Sequence, residues 1–227
     1  MNPVIPQMLY YSFLILSIGT FILVARKIRK TFPEHRSYVN GLIVWFLAQY
    51  LLGKLGVFAL GLGEMPPRIL FIVVPNFLFI IYLAFSSAGK TIANHLGMIF
   101  LTAMQSFRIG VELVLLQLAG GELLPSVMSV EGRNFDALIG LTAPLIAYLY
   151  RKEKISRKAM IGWNVAGLVL VTNVVVHGIL SMPGIEVIET NVPNFIISYA
   201  PFNLLPGVLV PFAYVFHIFS LRKLLTP

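Results

Sequence analysis

Apolar residues in this chain gather into seven runs, at about residues 9–25, 39–60, 69–88, 93–118, 136–150, 159–180 and 202–221, separated by short polar stretches. A helix needs about 20 mainly apolar residues to cross roughly 30 Å of hydrocarbon, and most of the runs approach that length. The pattern predicts an all-α, polytopic membrane protein: a seven-transmembrane-helix bundle in which residues 1–227 form one transmembrane domain. Paired prolines in GLGEMPPR forbid continuation of the second helix. Pro206 and Pro211 lie inside the seventh run and Pro144 inside the fifth. Each frees backbone carbonyls that side chains or water must satisfy, so the seventh helix is expected to be kinked. No repeat period or pair of similar halves is visible, which argues against the inverted repeats common in transporters.

Composition agrees with the pattern. Hydrophobic residues make up 58% of the 227 and charged ones 11%, with a mean hydropathy of +0.86, against about 45–50% apolar in a soluble domain. The net charge of +8 would suggest nucleic acid in a soluble protein, but here the basic residues sit beside apolar runs and serve orientation instead. Segments 26–38, 89–92, 151–158 and the tail hold 13 of the 17 Lys and Arg residues, while the opposite loops hold only Arg68 and Arg133 against six acids. That asymmetry predicts an outside amino terminus and a cytoplasmic carboxyl terminus. The first apolar run follows MNPVIPQMLYYSF, which lacks a basic leader and a small-residue cleavage site, so it reads as a retained helix. The absence of cysteine excludes disulfides, Cys-ligated zinc, iron–sulfur ligation and thiol nucleophiles.

The stretch expected to organise the bundle is 93–120, because it places Gln105, Arg108 and Glu112 in a segment otherwise suited to lipid. At about 100° per residue the three fall within roughly 60° of one another, on one polar stripe. Charged groups at such depth usually face the bundle interior and find partners. Counted from the cytoplasmic starts of their helices, Lys54 and Arg108 lie about 15 residues in, Glu112 about 19, Asn173 about 14 and His177 about 18. Asn76 and Asn203 add polar groups toward the same outer half. These residues are expected to line an outward-opening cavity, with Glu112 directly paired to Lys54, Arg108 or His177. Lys54, Arg108 and Glu112 together would leave one surplus positive charge, which favours a small anion, a phosphate head group or a carboxylate, with Arg108 as the fork. The competing reading is a structural clamp between helices two and four.

The loop SVEGRNFD is the most distinctive. Gly132 suits a tight turn, and Asn134 or Asp136 suits the cap of the next helix. Glu131, Arg133 and Asp136 are expected to form a lid over the cavity. Among the histidines, His177 lies near the outer face and His217 near the inner one, too far apart to bracket a haem; His95 and His217 share the inner end without a spacing that requires a metal. No metal or other cofactor is implied, and an interhelical hydrogen bond is the better use for each histidine. No Ser, His and acid spacing matches a catalytic motif.

The runs QSFRIGVELVLLQL and MSVEGRNFDALIGLTAP resemble a family of bacterial multi-pass membrane proteins without assigned function. The likeness covers helices four and five and their connection; it implies a bacterial cytoplasmic membrane and transfers no activity. The leading expectation is therefore binding or translocation of a small anionic or lipid-like ligand, with membrane lipids as surroundings and no role for nucleic acid. Intramembrane lipid chemistry is the first alternative, with His177 and Glu112, Glu131 or Asp136 as acid and base. A sensor or a subunit of a larger complex is the second. The rhodopsin version is disfavoured, because the seventh run has no lysine for a retinal Schiff base.

Overall fold

The computed structural model describes residues 4–32, 36–59 and 65–225, and among these it is helical with no strand. Helix α1 (Gln7–Thr31) runs through the basic stretch that was expected to be a loop. Arg29 and Lys30 occupy its last turn, where cations complement the carboxyl end of the helix dipole, and it stops at Phe32, the residue before Pro33. Helix α2 (Arg36–Lys54) ends six residues short of the expected boundary. Gly56 takes a left-handed φ of +70° just beyond the end of α2, a conformation that glycine adopts without steric cost. The expected end at residue 60 lies outside the described residues.

The third and fourth runs are divided differently from the expectation. Helix α3 (Leu70–Phe85) meets α4 (Ser87–His95) at a bend of 78°. Ser86 makes the corner by accepting a 3.0 Å bond from the Gly89 amide. A Cβ on Gly89 would run into the Leu83 carbonyl, so the corner closes only with glycine there. Helices α5 (Met98–Met104) and α6 (Phe107–Gly120) form one rod broken by a tight turn, in which the Arg108 and Ile109 amides reach back to the Gln105 and Ser106 carbonyls. Helix α7 (Ala137–Arg151) and helix α8 (Arg157–Leu180) follow nearly as expected. A π-helical turn, Leu205–Leu209, then leads into α9 (Val210–Leu225).

The last segment, not residues 93–120, is the hub. Of its most apolar window 56% is enclosed by protein, against 44% for 98–120 and 28% for each of α1 and α8. Helix α9 packs against α3, α4, α5 and α8. Its prolines explain its entry. Pro211 has no N–H, so the carbonyls of Pro206 (π register) and Gly207 (α register) lose their helical donor. Asn76 Nδ2 donates to both, at 3.1 and 3.3 Å, and Trp45 Nε1 donates to Gly207 at 2.9 Å. The π-helical entry is therefore held by α2 and α3. Asn76→Ala is expected to cost about 1–3 kcal/mol, because the Pro206 carbonyl is left without a donor while Gly207 keeps Trp45. Unfolding in detergent checks this; a change below about 0.5 kcal/mol would mean the carbonyls need no partner.

Side-chain contacts sort the connections into two ends. At one end Arg222 donates to the Leu83 carbonyl, Lys223 to Asn94, Arg157 to Leu224, and Lys27 lies over the Phe100 ring. At the other Tyr10 and Tyr50 share a 2.8 Å hydroxyl contact, the Ser126 amide donates to Asn191, and Asn173 donates to the Arg133 carbonyl. The outer helix faces are apolar, with Ile15, Leu78, Leu141, Leu145 and Val169 all well exposed.

Candidate functional site

Arg108, Glu112 and Gln105 are all enclosed, at 3%, 6% and 1% relative exposure, although each is among the costliest residues to remove from water. The turn at Gln105 and Ser106 breaks the expected stripe, so the three diverge in their partners. Gln105 donates through Nε2 to the Ala213 carbonyl of α9 at 3.2 Å, and its Oε1 meets no donor. Arg108 donates through Nη1 to Asp136 Oδ1 at 2.9 Å, and its Nε and Nη2 meet no acceptor among the described residues.

Glu112 does not pair with Lys54, Arg108 or His177, contrary to expectation. Its Oε1 accepts from the Val130 amide at 2.5 Å and its Oε2 from Asn134 Nδ2 at 2.6 Å. Asn134 is fixed on all sides: Nδ2 also reaches the Met128 carbonyl at 3.0 Å, and Oδ1 accepts from the Asp136 amide at 2.9 Å. That last bond makes a local turn of the kind asparagine favours. Asp136 therefore does not cap α7 with its side chain, as the sequence suggested, but turns it to Arg108. The connection from 121 to 136 is clamped onto α6 by two carboxylates of opposite origin, Glu112 from the helix and Asp136 from the connection.

Between these groups lies a cavity of about 20 Å³, lined on the polar side by Arg108, Glu112, Asn134 and Asp136 and on the other by Val171, Val174, Leu209 and Ala213. It has room for about one water molecule, far less than the ligand cavity expected from the sequence. A wider groove of about 390 Å³ lies elsewhere, between α2 and α3, with Trp45, Gln49, Leu52, Phe71 and Arg68 along it.

The other expected site residues stand apart. Lys54 is exposed at the last turn of α2, with its ammonium 5.3 Å from the Tyr10 ring centre. Asn76 holds the Pro206 and Gly207 carbonyls, and Asn203 Nδ2 donates to the Gln49 carbonyl at 2.6 Å, where Gly53 leaves space for it. Asn173 secures the connection through the Arg133 carbonyl, and His177 Nδ1 turns back to the Asn173 carbonyl at 2.8 Å. Glu131 and Arg133 are exposed, so of the expected lid only Asp136 reaches the cavity. Among the described residues no hydrogen bond joins His177 to Glu112, Glu131 or Asp136, so the acid–base pairing considered for lipid chemistry is not formed. Sequence reasoning missed the two partners of Glu112; the signal was Asn134, read as a helix cap. A second buried contact lies deeper: His217 Nδ1 meets Asn164 Oδ1 at 2.9 Å.

An all-helical chain with an apolar exterior and a charged, hydrogen-bonded interior defines a class compatible with membrane proteins. Four helices are long and apolar enough to cross a membrane, or five if the bent α3–α4 pair is one span, and α7 is a shorter apolar helix. The chain belongs to the family defined by the domain of unknown function DUF8737, whose model matches residues 66–225. Arg108, Glu112, Asn134 and Asp136 all fall inside the matched segment, and Lys54 falls outside it. No curated protein and no solved structure matches the chain.

Proposed function

We propose that this chain is a seven-pass protein of a bacterial cytoplasmic membrane, amino terminus outside, that binds or translocates a small ligand carrying a carboxylate or phosphate at Arg108. The observation that carries the ligand reading is the free edge of the guanidinium. Nε–H and Nη2–H lie side by side, are fully buried and meet no acceptor among the described residues, while Nη1 is committed to Asp136. Two parallel N–H groups are the geometry that grips an oxyanion through two oxygens. The membrane reading is supported by the apolar exterior and by the grouping of basic segments at one end of the helices. Helix α7, with 15 residues, would span only about 22 Å and needs local thinning or a tilted neighbour to complete a pass. A lipid-like ligand is the second reading, favoured by the apolar groove with Arg68 beside it.

The topology reading predicts that tags on the two termini label from opposite sides of the membrane. Labelling of both from one side would remove an odd number of passes. For the ligand reading, formate and inorganic phosphate titrated into the purified protein in lipid nanodiscs are expected to bind and to raise its thermal stability, and Arg108→Gln is expected to abolish both effects. Absence of binding by both probes, or binding unchanged in Arg108→Gln, refutes it.

A further inference from the structure

The charges around Arg108 constrain what an incoming oxyanion must bring with it. Glu112 presents both oxygens to donors, the Val130 amide and the Asn134 side chain, and no acceptor faces it. That arrangement serves the ionised carboxylate, since a protonated acid would need somewhere to donate. Asp136 Oδ1 lies 2.9 Å from Arg108 Nη1, an ion-pair geometry that favours its carboxylate form. Two carboxylates and one guanidinium around a cavity of only about 20 Å³ leave one net negative charge when all three are ionised. An oxyanion on the free edge of Arg108 would raise this to two in a setting with little water to screen it.

Building on the ligand reading above, we propose that oxyanion binding is coupled to uptake of one proton by Asp136, so that the pair enters with no change in net charge. Asp136 is the group placed for it. Its Oδ1 accepts from Arg108, while its Oδ2 meets no donor among the described residues, and its side chain keeps 16% exposure where that of Arg108 has 2%. The proton adds to Oδ2. The Arg108 guanidinium, released from its ion pair, then faces the incoming oxyanion with its full charge. The titratable and charged groups around Asp136 are Arg108 and Glu112 from α6 and Tyr214 from α9, whose hydroxyl is held by Thr172. His217, further along α9, is close enough to feel Arg108 but is engaged with Asn164. The facing positions of α8, Val171 and Val174, are apolar. No lysine takes part, because Lys54 is on the surface.

Formate stays ionised above about pH 5.5 and is the probe. Its affinity for the intact protein in nanodiscs is expected to weaken about tenfold per pH unit as pH rises toward about 8, with one proton taken up per formate in calorimetry across buffers of different ionisation enthalpy. In Asp136→Asn the affinity is expected to stay at its low-pH level throughout, with no proton uptake. Formate binding that does not vary with pH in the parent protein overturns the coupling and leaves the Arg108 reading standing. An unchanged pH slope in Asp136→Asn overturns Asp136 as the proton acceptor. If Asp136→Asn does not fold, the proton count on the parent protein still decides the coupling. No formate binding at any pH removes the ligand reading itself.

Discussion

Glu112→Leu is expected to destabilise the protein by about 3–5 kcal/mol and to free the connection between α6 and α7. The loss has two parts. The Val130 amide and the Asn134 side chain each lose a charged acceptor, and bonds to charged groups contribute about 1.5–3 kcal/mol apiece. Asn134 also positions the Asp136 amide, so its release loosens the residue that pairs with Arg108. Glu112→Gln should be milder but not neutral. It keeps one acceptor oxygen, while its new NH₂ faces a donor whichever way the amide is turned. Unfolding in detergent gives the energies, and hydrogen exchange at 121–136 reports the connection. A Glu112→Leu protein within about 0.5 kcal/mol of the parent, with unchanged exchange there, would show that the clamp is not what holds this end closed.

How much of this could be read from the sequence differs by residue, and the differences have physical causes. The helices over 137–151 and 157–180, and the apolar part of α1 up to about residue 25, were legible because long apolar runs leave the backbone no other way to satisfy its polar groups. The corner at Ser86 was not, because its determinants are a single capping hydroxyl and the Cβ-free approach of Gly89 to a carbonyl, neither of which interrupts the apolar pattern. Lys54 was misplaced through the helix end: extending the helix to residue 60 put it inside a span, whereas Gly56 beyond Lys54 places it at a terminus, where a cation is favourable and solvent is near.

Arg108 and Glu112 were correctly read as buried, since a charge inside an apolar run has few places to go. Their partners were not, because pairing was sought among other spans. Asp136 and the Val130 amide lie on the connection, and their approach depends on how SVEGRNFD folds back, which no helical periodicity encodes. The consequence reaches function. Exchanging Lys54 for Asp136 changes the charge around Arg108 from surplus positive to net negative, so an anion can enter only with compensation. The π-helical turn before Pro211 shows the opposite case: the missing N–H groups were countable in the sequence, and the need for outside donors followed from them.

The second large effect is expected from separating Arg108 and Asp136, and the two single changes should be unequal. Asp136→Leu strands a guanidinium whose side chain is 2% exposed and which has no other acceptor, an uncompensated buried charge worth about 3–5 kcal/mol. Arg108→Leu strands a carboxylate that is 16% exposed and can turn Oδ2 toward water, so its cost should be smaller, about 1–3 kcal/mol. The double change Arg108→Leu with Asp136→Leu removes both charges and supplies apolar volume beside Val171, Val174 and Leu209, and should recover most of the parent's stability. Thermal unfolding of the four proteins in one detergent measures the cycle. Equal costs for the two singles would contradict the burial argument. A double variant that is stable and still binds formate would place the ligand elsewhere. A double variant that is stable and binds nothing is the expected result, because Arg108 then matters to the fold only through its partner and to the ligand through its free edge.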